Sequence, residues 1–225
     1  MKKILFALTS HDRKGNTGQP TGFYVPEAAH PWAILRDAGY AIEFVSPKGG
    51  KPPMDGVDAA DPISRAFLAA ADVTRQLETT PTPAAVRAED YAAIFYVGGH
   101  GTMWDFPDDQ PLAKLAVAIY EAGGVVGAVC HGPAGLVNLK LSDGRYLVSG
   151  KRVAAFTDDE ERAAQLDAVV PFLLASKLQE RGATHLAKPN WQANVVVDGR
   201  LVTGQHPASA EGVGREMALL LNASC

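Results

Sequence analysis

Two cysteines occur in this 225-residue chain, Cys130 and Cys225, and only the first has neighbours that suggest chemistry. It closes the run Gly123-Gly124-Val125-Val126-Gly127-Ala128-Val129 and is followed by His131-Gly132-Pro133-Ala134. An apolar strand that passes into Cys-His-Gly-Pro is the pattern of a nucleophile elbow, a tight strand-to-helix turn that lifts one side chain out at the C-terminal edge of a sheet. Small residues flank such a turn because its backbone is strained and its neighbours approach closely. Pro133 suits the first turn of a following helix. The N-terminus of that helix, with its free N–H groups, would favour a thiolate of low pKa. The rival reading is an inert cysteine buried at a strand end, a common fate of a free thiol. The glycines and the proline around Cys130 weigh against it. With one of the two cysteines at the terminus, a disulfide framework is not expected.

A second glycine cluster, Gly98-Gly99-His100-Gly101, follows the apolar run Phe95-Tyr96-Val97. If the two strands are neighbours, the N–H of Gly99 and that of His131 are candidate oxyanion donors beside Cys130. The cluster is not the Gly-x-Gly-x-x-Gly of a dinucleotide site, and no acid is placed to hold a ribose. Early in the chain, Thr21-Gly22-Phe23-Tyr24-Val25-Pro26-Glu27 opens a helix. A first-turn carboxylate complements the helix dipole, which alone would explain Glu27. It gains interest because the loop after a first strand reaches the same sheet edge as Cys130.

These residues need a scaffold, and the pattern supplies one. Short runs rich in Val, Ile and Phe alternate with helical periodicity, the mark of a parallel sheet covered by helices. Strands are expected at 3–8, 41–45, 92–97, 125–129 and 153–156, with helices at 27–37 and 112–122, after Cys130, and at 211–221. Gly39 and Gly123-Gly124 mark helix stops, and Asp198-Gly199 a turn between two late strands. The proline-rich stretch 47–86, with a helical pattern near 63–71, is longer than a crossover needs and reads as a lid-like excursion within one domain, 1–225.

Composition bounds the function. With 47% hydrophobic and 20% charged residues, the chain is an ordinary globular one. A net charge of −4 argues against a nucleic-acid surface. No apolar run is long enough for a membrane span, and Met1-Lys2-Lys3 with its short apolar follow-on reads as a first strand rather than a signal peptide. A cytoplasmic protein without membrane partners is expected.

Taken together, Ala128-Val129-Cys130-His131-Gly132-Pro133, the 98–101 cluster and the Gly-x-x-x-Pro-Glu segment ending at Glu27 resemble the ThiJ/PfpI superfamily, in its glyoxalase III and stress-chaperone branch. Phe44-Val45-Ser46-Pro47, Asp105-Phe106-Pro107, Phe156-Thr157 and Asp198-Gly199-Arg200-Leu201 extend the resemblance over almost the whole chain. It implies a flavodoxin-like, doubly wound α/β sandwich of the class I glutamine amidotransferase type, and a homodimer. It implies Cys130 as nucleophile, His131 as its triad histidine and Glu27 as the carboxyl that touches the thiol. The third triad member is implied to be an acid shortly after Phe156-Thr157. Glu161 matches best, with Asp158, Asp159 and Glu160 close by. Larger relatives carry a metal in an added N-terminal region absent from this chain, so neither metal nor cofactor is expected.

The implied activity is cofactor-independent conversion of a 2-oxoaldehyde such as methylglyoxal to a 2-hydroxy acid through a Cys130 hemithioacetal. A desolvated Glu27 would then carry the substrate proton as acid and base. A holding chaperone or protein deglycase is the main alternative, and a cysteine peptidase a lesser one. An amidotransferase would need a downstream His-x-Glu, which neither His185-Leu186-Ala187 nor His206-Pro207-Ala208 supplies.

Overall fold

Along the first strand, β1 (Lys3–Ala7), Ile4 and Phe6 enter one half of the core while Leu5 and Ala7 enter the other. A strand apolar on both sides must be covered on both sides. The structure, a computed structural model, describes residues 3–223. Cys225 lies outside them. From β1 the chain passes to the two-residue β2 (Phe23–Tyr24), helix α1 (Val25–Asp37) and β3 (Ala41–Val45). A short β4 (Met54–Asp55) and helices α2 (Pro62–Ala69) and α3 (Ala71–Glu78) precede β5 (Tyr91–Tyr96). Helices α4 (Thr102–Asp105) and α5 (Gln110–Glu121) lead to β6 (Val125–Val129). Then come β7 (Arg152–Val153), α6 (Asp158–Ala163), α7 (Leu174–Glu180) and β8 (Thr184–His185). The hairpin β9 (Val195–Asp198) and β10 (Leu201–Gly204) and helix α8 (Ala210–Ala223) finish the fold.

The main sheet runs β3-β1-β5-β6-β10-β9. All its pairs are parallel except β9 on β10. Helices α1 and α8 pack against each other on one face, joined by Phe67 of α2 and by Val73 and Leu77 of α3. Helices α5 and α7 cover the other face. This is the doubly wound α/β fold, and its five parallel strands follow the flavodoxin order. The order reverses between β1 and β5, and the loops after their C-terminal ends flank the crevice where such sheets bind ligands. No helix among the described residues is long and apolar enough to cross a membrane.

The segment 47–86 contributes to both core and crevice. Phe67, Val73 and Leu77 are buried, and β4 pairs with β2 so that Asp55 lies beside Tyr24. Two expected elements differ. The expected strand at 153–156 is reduced to β7, paired only with β8. Beyond it, the Ala154 N–H donates to the Thr203 hydroxyl and the Phe156 N–H to the Cys130 carbonyl, so side-chain and loop bonds replace a ladder. The expected helix after Cys130 is a five-residue 3₁₀ turn, Gly132–Leu136. It is pressed onto β5, where a Cβ on Gly132 or Gly135 would strike Tyr96. With two glycines and a proline it has little propensity to continue as α-helix.

Candidate active site

Cys130 follows the last residue of β6 with φ 59°, a left-handed conformation that non-glycine residues adopt rarely. Backbone bonds hold it there. Its N–H donates to the Gly204 carbonyl at 2.9 Å, and its carbonyl accepts from the Phe156 N–H at 2.9 Å. The strained turn the sequence suggested is thus present, fixed by β10 on one side and the 154–157 loop on the other.

His131 comes next and is fully buried. Its Nδ1 lies 3.3 Å from Cys130 Sγ, and its Nε2 lies 2.7 Å from Glu161 Oε2. The other Glu161 oxygen, Oε1, is 2.9 Å from His100 Nε2. Burial alone would raise Glu161, but the hydrogen bonds from His100 and His131 outweigh it and bring its pKa down to about 2. An ionised carboxylate only accepts, so both histidines present Nε2–H to it. His131 Nδ1 is therefore the lone-pair nitrogen, turned to the thiol, which donates its S–H. Burial and then the neighbouring His100 lower His131 to about 4, against the pull of Glu161. A carboxylate partner would ordinarily raise a histidine. Here burial, reinforced by the neighbouring His100, decides the sign, and His131 is neutral at pH 7.

Of the four acids after Thr157, only Glu161 reaches the histidines. Asp158 accepts from Ser176, and Asp159 pairs with Arg162 at the surface. Glu160 closes a capping box with Thr157 and accepts from the Trp191 N–H.

Glu27, in the first turn of α1, is fully buried, and neither of its carboxylate oxygens has a hydrogen-bond partner. It lies against Gly98 and Cys130. A Cβ on Gly98 would collide with Glu27 Oε2 and approach the Cys130 Cβ, so only glycine leaves room for the carboxyl. Burial raises Glu27 to about 8; the Cys130 thiol and the Gly98 N–H draw it down without making well-formed hydrogen bonds. The thiol is shifted too. Burial and then the Glu27 charge push Cys130 well above its ordinary value, and the His131 N–H only partly offsets them. This corrects the low-pKa thiolate expected from a helix N-terminus: the helix is a short 3₁₀ turn, and the sulfur is buried. At neutral pH Glu27 holds its proton and the opposing charge is absent.

Glu27, Cys130 and His131 line one cavity of about 280 Å³. Gly99 is in its wall, in the left-handed region at φ 111°. A side chain there would strike the Gly22 carbonyl. Sequence reasoning passed over several other wall residues: Lys14, Tyr24, Asp55, His100, Trp191 and His206. His100 was within reach, since it occupies the glycine cluster already singled out. Trp191 was not, because nothing local marks its φ of 67° or the Glu160 bond that holds it. Donor atoms of His100, His131 and Glu161 lie within 4.8 Å of one another, a spacing a metal could use. The nitrogens facing the carboxylate are protonated and bonded to it, so the set as it stands is a hydrogen-bonded chain rather than an open ligand cage.

Known proteins share this arrangement of elements. The chain is similar to the glutathione-independent glyoxalase HSP31 of Saccharomyces cerevisiae, 37% identical with 93% of each chain covered. Its structure superposes on that of the Rapid Encystment Protein 24 kDa of Francisella tularensis with a TM-score of 0.94, at 36% identity over 98% of this chain and 99% of the other. The match to glyoxalase III of Candida albicans has a TM-score of 0.88, at 31% identity over 97% of each. The model of the DJ-1/PfpI family matches residues 21–219, from the loop before Glu27 to the middle of α8. On that span and those likenesses, the chain belongs to the DJ-1/PfpI family.

Proposed function

We propose that the protein is a glutathione-independent glyoxalase that converts 2-oxoaldehydes such as methylglyoxal to 2-hydroxy acids, with Cys130 as nucleophile. One juxtaposition carries the reading: a thiol donating to His131 Nδ1 on one side, with a buried, unpartnered carboxyl on the other. The relatives named as glyoxalases support the substrate class.

In this reading Cys130 Sγ adds to the aldehyde carbon while its proton passes to His131 Nδ1. Glu27, protonated at rest, gives its proton to the aldehyde oxygen and becomes a carboxylate. It then takes the C1 proton and returns it to C2 through an enediol, while the hydroxyl proton on the C1 oxygen passes to the C2 oxygen, leaving a thioester on Cys130. A pKa of about 8 suits both directions of transfer near neutral pH. The N–H groups of Gly99 and His131 are the donors offered to the oxyanion. Hydrolysis of the thioester releases the hydroxy acid and restores the thiol. None of these steps consumes a cofactor, and the partner is a small molecule.

The test is lactate formation from methylglyoxal without glutathione, run in D₂O. Deuterium at C2 of the product is expected from a carboxyl that exchanges with solvent, and Cys130→Ala should abolish turnover. Lactate with protium at C2 would exclude the Glu27 route, and an active Cys130→Ala variant would exclude the nucleophile.

A further inference from the structure

A triad needs one oxygen of its carboxylate, and here both oxygens of Glu161 are used. Oε2 accepts from His131 at 2.7 Å and Oε1 from His100 at 2.9 Å. The two imidazole centroids are 4.0 Å apart. One carboxylate thus orients two adjacent rings through Nε2, so that in its neutral form each ring carries its lone pair on Nδ1. Their surroundings differ. The His131 side chain is 1% exposed and its Nδ1 is occupied by the Cys130 thiol. The His100 side chain is 18% exposed and stands in the cavity wall.

The proposed reaction makes two distinct demands for a base. Addition of Cys130 to the aldehyde releases the thiol proton at the buried end of the cavity. Thioester hydrolysis releases a water proton, and at neutral pH the whole reaction exports one proton, because the product is a carboxylate. A base that must meet water and then lose its proton to solvent cannot be as enclosed as His131.

Resting on the glyoxalase reading, we propose that His100 is a second general base, held by Glu161, that activates the water which hydrolyses the Cys130 thioester. The water oxygen bonds to the thioester carbonyl carbon as one O–H bond breaks, and that proton goes to His100 Nδ1. The C–S bond then breaks, and its electron pair leaves with Cys130 Sγ, which takes back the proton that His131 Nδ1 received during addition. The second water proton passes to Glu27, which the isomerisation left as a carboxylate, so the product departs as a carboxylate, and His100 gives its proton to bulk solvent. Oxidation states change in neither residue. His131 serves the thiol, and His100 serves the water.

This division is tested by His100→Gln, with His100→Asn as a second variant, using methylglyoxal. Hydrolysis should become rate-limiting while acylation is untouched. kcat should then fall by about 10²-fold, the scale of a lost general base, and KM should fall with it, so that kcat/KM stays within about twofold. An adduct on the Cys130 peptide should accumulate and be cleaved by hydroxylamine, as a thioester is and a hemithioacetal is not. Added imidazole should restore turnover through the partly open cavity. If kcat/KM falls as far as kcat, His100 only supports Glu161 and the assignment is wrong. Unchanged kcat in either folded variant overturns it as well. Inactivity of the wild type toward every 2-oxoaldehyde would instead remove the glyoxalase reading, and this proposal with it.

Discussion

At Glu27 a carboxyl group has been taken out of water and given no hydrogen-bond partner in return. Its folded pKa of about 8 lies above the ordinary 4.5, so the native state holds a proton there that the unfolded chain loses. The stability this confers is complete below pH 4.5 and drains away as pH rises to about 8. Glu27→Gln, which stays neutral, should therefore be more stable than the wild type at pH 8, by about a few kcal/mol of unfolding free energy, with a higher melting temperature, and the gap should close toward pH 4.5. The same variant should lose about 10²–10⁴-fold in turnover. Equal melting temperatures at pH 8 would mean that Glu27 is better solvated than its burial implies. At this scale the sequence was informative where chemistry is local. Cys130, His131 and Glu27 sit in short motifs whose glycines and prolines carry meaning. Which of four consecutive acids faces His131 depends on the phase of a helix start, and the thiol's upward shift depends on burial by distant residues. Neither is written in a motif.

Helix α6 shows how one short element can determine a site. Thr157 Oγ1 accepts from the Glu160 N–H and Glu160 Oε2 accepts from the Thr157 N–H, both at 2.9 Å. The other Glu160 oxygen receives the Trp191 N–H and Gln205. The cap thus fixes the first turn from which Glu161 projects. Thr157→Ala should cost about 1 kcal/mol, the usual value of a lost N-cap. It should also lower kcat, because Glu161 then loses its fixed distance to His131, and Thr157→Ser should recover both. A variant that loses stability but turns over normally would show that the cap does not position Glu161. The strand expected at 153–156 failed here for a related reason. Its apolar composition is strand-like, but its partners are the Thr203 hydroxyl and the Cys130 carbonyl, which no periodicity announces.

For the molecule as a whole, four of the five expected strands stand within one residue of their expected limits, because strands buried on both faces read as continuous apolar runs. The doubly wound fold followed from their alternation with helices. What composition could not show is how widely the cavity draws on the chain. Its wall combines Lys14, Glu27, Gly99, Cys130, Trp191 and His206, brought together by parallel strands and their crossovers. Such contacts between remote segments form slowly, after loop closure has been overcome. During synthesis from the N-terminus, Cys130 emerges well before Trp191 and His206 exist to enclose it, so the nascent chain presents an unguarded thiol. In refolding from denaturant, catalytic activity and protection of Cys130 from alkylation should return together in the last kinetic phase, after secondary structure has formed. Activity that recovers ahead of that protection would mean the thiol's housing can be left unfinished; otherwise, turnover in this protein is a readout of completed folding.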